Sequence, residues 1–212
     1  YLLKKFLKQI DPKLLIYDVT PLVFTIDGIE SSLDIISNDE FNMEMIKMAL
    51  HVNHLKVYNT LIYAAYAYLF NINKDYTEPV VKSTGTYVKG GFIERKLSYN
   101  QPKVYTELEW SFEEDQFNKF DEIIAWLDEK DVHYILIQPP ISPAFYGSHD
   151  NNTEFDEFMK SKGNYINFNE LVTMDDSLDF YDDFHLNTNG VIQYDNRLIS
   201  MILNDSIPIS NK

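Results

Sequence analysis

Two short apolar runs without polar alternation constrain this chain most. Lys13-Leu14-Leu15-Ile16-Tyr17-Asp18-Val19 lies between Pro12 and Thr20-Pro21, and Val132-His133-Tyr134-Ile135-Leu136-Ile137 is stopped by Pro139-Pro140. A strand with one wet face alternates apolar and polar residues. A strand covered on both faces need not, and crossover helices supply such cover in a parallel sheet. Amphipathic helical patterns separate the runs. Leu2, Leu3, Phe6, Leu7 and Ile10 share one face, Phe117, Phe120, Ile123, Ile124 and Leu127 another, and Ile192, Leu198, Ile199, Ile202 and Leu203 a third. The alternation predicts an α/β fold: a mainly parallel sheet with helices on both faces, a three-layer α/β/α sandwich.

Residues 1–212 read as a single domain, with an irregular excursion at about 71–110, an extended segment or hairpin outside the main sheet. The first helix should end at Asp11-Pro12, because proline disfavours helical geometry in the residue before it. Ser37-Asn38-Asp39-Glu40 has the form of a capping box opening a helical region that runs to about Phe70, with a break near Asn53 or Asn59. Ser111-Phe112-Glu113-Glu114 repeats that form. A helix is expected around 153–162, a short strand over Tyr165-Ile166-Asn167-Phe168, and a last helix after Gly190.

Charge narrows the classes of function. Thirty-three acidic residues against 18 basic ones give a net charge of −15, which argues against sequence-independent nucleic-acid binding and against adhesion to anionic lipid. Cysteine is absent, so thiolate nucleophiles, disulfides and Cys-ligated zinc are excluded. The longest apolar run, 61–70, falls short of the roughly 20 residues a bilayer-spanning helix needs. No signal peptide is visible. The chain opens at Tyr1 without Met and directly in a helical pattern, which reads as a fragment or trimmed chain.

In parallel sheets, ligands bind beyond the carboxyl ends of the strands, so the loops after Val19, Ile137 and Phe168 should share one edge. The loop Phe180-Tyr181-Asp182-Asp183-Phe184-His185-Leu186-Asn187-Thr188-Asn189-Gly190 belongs there too. It sets an acid three residues before a histidine. An imidazole held in one tautomer by a carboxylate is the general-base half of a hydrolytic triad. The serine it would activate is harder to place. Ser31 and Ser32 do not stand between a strand and a helix as a nucleophile elbow requires, and read as turn and surface residues. Ser142 and Ser148 fall on the expected active edge, as candidates for substrate contact. A divalent ion held by Asp182, Asp183, His185 and His149 ranks below the triad. His51 and His54 suit structural roles on a helix, and His133 suits the core or rim. Gly85, Gly90 and Gly91 make no phosphate loop, since no Gly-Lys-Ser/Thr follows. The tyrosines between 58 and 105 suit packing better than a carbohydrate groove.

The string from Tyr181 to Gly190 resembles the last motif of the SGNH hydrolase superfamily. Pro12 to Asp18 resembles the strand that carries its third motif, and Ile124 to Pro140 a helix and strand of a bacterial cell-surface subgroup that includes the teichoic-acid D-alanylation protein and polysaccharide O-acyltransferase-like proteins. The resemblance implies a serine esterase or O-acyltransferase acting on acyl esters of a surface polymer or on a small ester. His185 would be its base and Asp182 the partner that orients it. No cofactor and no metal would be needed. The nucleophilic serine, its strand and the oxyanion glycine would lie ahead of Tyr1. The third-motif asparagine is missing near Asp18-Val19-Thr20-Pro21, which leaves Thr20 as the oxyanion candidate. An extracytoplasmic protein, with a membrane anchor upstream, is what the resemblance further implies. The alternative is a non-catalytic surface module that binds polymer or a partner protein.

Overall fold

In a computed structural model, the described residues are 1–72, 80–82, 85–88 and 92–204. The chain divides into two compact units, one of residues 1–12 and 27–79, the other of 13–26 and 80–212.

The first unit is helical. Helix α1 (Leu2–Ile10) ends at Asp11, which takes a left-handed conformation and donates its N–H to the Leu7 carbonyl. Helix α2 (Ile29–Asn38) is followed by α3 (Met43–Val52) and α4 (Leu55–Leu69). Ile36, Met45, Ala49 and Val57 form their core. The expected break falls at Asn53, a left-handed residue that short polar side chains tolerate best. The capping box at Ser37 does not form. Ser37 lies in the last turn of α2, Asp39 binds Tyr1 and Lys5, and Asn42 caps α3 by accepting the Met45 N–H at 3.0 Å.

The second unit carries the expected α/β pattern. Strand β1 (Leu15–Asp18) leads through a 3-10 turn at Pro21–Thr25. Strands β2 (Val81–Lys82), β3 (Gly85–Val88) and β4 (Phe92–Arg95) form a separate antiparallel sheet, which is the excursion; Gly90 and Gly91 lie outside the described residues. Then come α5 (Glu114–Glu129), β5 (Tyr134–Gln138), a single turn α6 (Pro143–Tyr146), α7 (Asn152–Lys162), β6 (Tyr165–Asn167) and α8 (Thr188–Leu203). The Ser111 capping box is also absent. Glu113 occupies the cap position of α5 without a side-chain bond, and its N–H is given to the Phe24 carbonyl at 2.8 Å.

Strands β1, β5 and β6 make a parallel sheet in the order β1-β5-β6. Register places Tyr17, Leu136 and Tyr165 in one row. On that face Tyr17 meets Phe120 of α5, and the Tyr165 hydroxyl reaches Asp156 of α7. On the opposite face Ile135, Ile137 and Ile166 pack against Tyr194, Leu198, Met201 and Ile202 of α8. Only β5 is covered throughout, being the central strand. Strand β1 differs from the expectation of two buried faces: it is an edge strand with alternating exposure, and Ile16 remains 40% exposed. An apolar run alone does not separate edge from centre. Among the described residues, no helix is long and apolar enough to cross a membrane.

Candidate functional site

Parallel pairing brings the carboxyl ends of β1, β5 and β6 to one edge, and the 180–187 loop is tied to that edge. Ser142, just beyond β5, donates its N–H to the Asp183 carbonyl at 3.0 Å. The loop itself is a tight hairpin. A bridge pairs Phe180 with Leu186, and the Tyr181 N–H donates to the His185 carbonyl at 2.7 Å. Inside it, Asp182 Oδ1 accepts the N–H groups of Phe184 and His185, both at 2.9 Å. Such a turn, closed by an aspartate on its own backbone, needs few residues and aims the side chains that follow.

That geometry places the His185 ring on its acid. Nδ1 lies 2.8 Å from Asp182 Oδ1 and 2.9 Å from Oδ2. With Asp182 ionised, Nδ1 carries the proton and the Nε2 lone pair faces outward. Burial pushes the Asp182 carboxyl up, but the Phe184 amide and the His185 ring and amide outweigh it and hold the group below its ordinary range. The His185 side chain is 68% exposed, and Nε2 has no partner among the described residues. The two groups have the geometry of a base and its orienting acid. The neighbouring acid serves otherwise: Asp183 binds Lys103 at 2.8 Å and Asn100 at 3.4 Å, which offsets the cost of its burial and holds it low as well.

Two residues lock the loop to α8. Asn187 caps the helix, its Oδ1 accepting from Asn189 at 2.9 Å and Gly190 at 3.3 Å. Its amide nitrogen faces the carbonyls of Leu178, Ser98 and Phe180 at 2.8, 3.1 and 3.2 Å. Gly190 is the third residue of α8 and does not precede it, as the sequence suggests. A Cβ there would stand 2.2 Å from the Asp179 carbonyl oxygen, so only glycine lets the helix approach the loop this closely.

The other sequence candidates are placed elsewhere or already engaged. Thr20 gives its hydroxyl to Asp18 at 2.6 Å and its N–H to the same oxygen at 3.0 Å, so the donors an oxyanion would need are spent. Ser142 is buried and its hydroxyl binds Asp176; Ser148 donates to the Phe145 carbonyl at 2.7 Å. Ser31 and Ser32 lie within α2, and Ser32 bonds back to Gly28. His149 is stacked on Trp110 with ring centres 3.8 Å apart, and its Nδ1 donates to the Phe145 carbonyl at 2.9 Å, so it is a core residue remote in role from the dyad. Among the described residues, no group of three or more His, Asp or Glu side chains is arranged to hold a metal ion. His54 caps α4 through Nδ1, His51 is exposed in the last turn of α3, and His133 is exposed just before β5.

A groove of about 550 Å³ opens beside His185. Pro139 and Pro140 from the end of β5, Tyr181 and Phe184 from the loop, and Val191 and Ile192 from α8 line one part of it; β4 and the residues after it, Ile93 to Leu97, line another. The part played by the excursion is invisible in the sequence, where only alternation marks 85–95 as a strand pair. No family model matches the chain. Searches of curated proteins and of solved structures return no match either.

Proposed function

We propose that the Asp182–His185 pair is the general-base half of an acyl-transfer site of the serine-hydrolase kind, acting on an ester held in the adjoining groove. The observation that carries this reading is the imidazole seated on Asp182 through Nδ1, with Nε2 open toward solvent. In the first step, Nε2 takes the proton from a serine hydroxyl as its oxygen forms a bond to the ester carbonyl carbon. Asp182 stabilises the resulting imidazolium, which then gives its proton to the departing alkoxide as the acyl–oxygen bond breaks. Water or an acceptor alcohol reverses the sequence and releases the acyl group. No serine lines the groove among the described residues. The resemblance to SGNH hydrolases supports a serine ahead of Tyr1, a three-layer α/β/α sandwich of which β1-β5-β6 is one part, and an extracytoplasmic, surface-bound setting.

The test is intact mass after treating the full-length protein with a fluorophosphonate. One adduct, reduced at least a hundredfold in rate by His185→Ala, is expected, since base catalysis of this kind contributes roughly 10²–10⁴-fold. Labelling that His185→Ala leaves unchanged would sink the assignment. A second reading, a non-catalytic module that binds a surface polymer or a partner, is favoured by the engagement of Thr20 with Asp18. It requires that no serine be labelled at all.

A further inference from the structure

Beside the dyad, the groove pairs an apolar wall with two cations. Ile93 and Arg95 fall on one face of β4, and Lys96 and Leu97, just past the end of the strand, line the groove with Val191 and Ile192 of α8. Arg95 and Lys96 follow one another there, in a chain where acids outnumber bases 33 to 18. Lys103 is paired with Asp183. Arg95 and Lys96 have no ion pair among the described residues, which is equally true of Lys4, Lys13 and Arg197; what sets the two apart is that they line the groove side by side, with Arg95 over the Tyr181 ring at 5.1 Å. Stacking of a guanidinium on an aromatic face leaves its planar fork of N–H groups free in the ring-parallel directions. Glu94 also lines the groove, so among the described residues its lining carries one net positive charge.

We infer that this groove binds an amphiphilic anion, its hydrocarbon part against Ile93, Leu97, Val191 and Ile192 and its carboxylate or other oxyanion on Arg95 and Lys96. The apolar wall gains from covering hydrocarbon. An Arg fork matches a planar oxyanion in two parallel hydrogen bonds, and the head group supplies the charge these cations otherwise lack. The inference deepens the acyl-transfer reading by naming the substrate class, an ester that carries both a hydrocarbon and an anionic group, and it rests on that reading only for the ester. The anion site stands on Arg95 and Lys96 alone.

The experiment is calorimetric titration of the full 212-residue chain with octanoate and with octan-1-ol. Octanoate should bind about tenfold more tightly, the size of one hydrogen bond to a charged group. In Arg95→Gln/Lys96→Gln the two ligands should bind alike, at the level of octan-1-ol on the unaltered chain. Equal affinities on the unaltered chain, no binding of either ligand, or a preference that survives the double substitution would each overturn the inference. If the double variant loses octan-1-ol as well, salt decides. The preference of the unaltered chain must shrink between about 0.02 and 0.5 M ionic strength, and indifference to salt overturns the proposal. Ester turnover is read separately: its loss in His185→Ala bears on the dyad, and the octanoate preference of the unaltered chain bears on the anion site.

Discussion

Replacing Asn187 by aspartate exchanges an NH2 group for an oxygen and leaves the shape of the side chain intact. The native amide is 5% exposed and works in both directions. Its oxygen caps α8, while its nitrogen faces three carbonyl oxygens between 2.8 and 3.2 Å away. An aspartate keeps the cap and gains about 0.3–1 kcal/mol from a negative charge at the helix N-terminus. Against that stands a carboxylate oxygen facing three carbonyls with no hydrogen between them. Leaving a buried charge uncompensated costs about 3–5 kcal/mol, so the loss wins. Asn187→Ala loses the cap, about 1 kcal/mol, and strips buried carbonyls of their donor, about 1–3 kcal/mol more. At neutral pH the aspartate should therefore be no better than alanine, although it is nearly isosteric with the native residue.

The pH dependence separates the two. Repulsion from the carbonyls raises the folded-state pKa of the introduced Asp above its unfolded value near 3.9. Between those two values the folded state holds the extra proton, so the deficit relative to the native chain is complete at high pH and shrinks as pH falls through the folded pKa. The protonated acid can donate one hydrogen bond where the anion could donate none. Trp110 and Trp126, the only tryptophans, both lie in the second unit, so urea unfolding followed by tryptophan fluorescence reports on the unit that matters. Midpoints at pH 7, 6 and 5 should rise toward the native value for Asn187→Asp and stay at a constant distance from it for Asn187→Ala. An aspartate variant as stable as the native chain at pH 7, or a deficit that does not narrow by pH 5, would refute the idea that the amide nitrogen is what the loop requires.

Gly190→Ala should destabilise the second unit by about 1–3 kcal/mol, the cost of overpacking, despite the better helix propensity of alanine. A thermal midpoint lowered by about 2–4 °C per kcal/mol reads this, and an unchanged midpoint would remove the close approach to Asp179. Asp182 has a lowered folded-state pKa, so its contribution is present above the unfolded value and is lost as pH falls below about 4. Because its side chain is 42% exposed, that contribution is at most about 1 kcal/mol, and Asp182→Asn should flatten the acid limb of the unfolding midpoint by that much. Ser142→Ala should leave fluorophosphonate labelling unaltered while costing about 1–2 kcal/mol in urea, since its hydroxyl serves Asp176; lost labelling would reinstate it as a nucleophile.

The parts of the site that were legible in the sequence are those set by local spacing. Asp182 and His185 are three residues apart, and a turn closed by the aspartate on the Phe184 and His185 amides brings their side chains together without help from distant residues. Strand β5 was legible as an apolar run, but the same pattern over 13–19 belongs to an edge strand, so which run lies at the centre was not legible. Capping was legible only as a pattern. Ser37 and Ser111 fit the capping-box form, yet Asn42 caps α3 and the Glu113 amide is taken by Phe24, because tertiary partners compete for the same donors. Thr20 illustrates the same competition, its two donors claimed by an aspartate two residues away. Arg95 could not have been found by spacing, since 90 residues of chain separate it from His185 and only a lining shared in space connects them.

A solvent-facing histidine does not by itself justify so much anchoring. Holding a surface loop in one conformation costs about 1–2 kcal/mol per residue in backbone entropy, and most exposed loops leave that cost unpaid. Here six of the eleven residues from 180 to 190 are fixed from outside the loop or across it: Asn100 donates to the Phe180 carbonyl, Ser142 to that of Asp183, and Tyr181 to that of His185, while Asn187 and Gly190 lock the exit into α8. His185 ends this framework with Nδ1 held on Asp182 and Nε2 without a partner among the described residues. Stability of the sheet would be served as well by a shorter turn between β6 and α8. Rigid support that ends on an outward-facing imidazole suits the proton transfer proposed above, because a base meets its proton fastest when it need not first order itself.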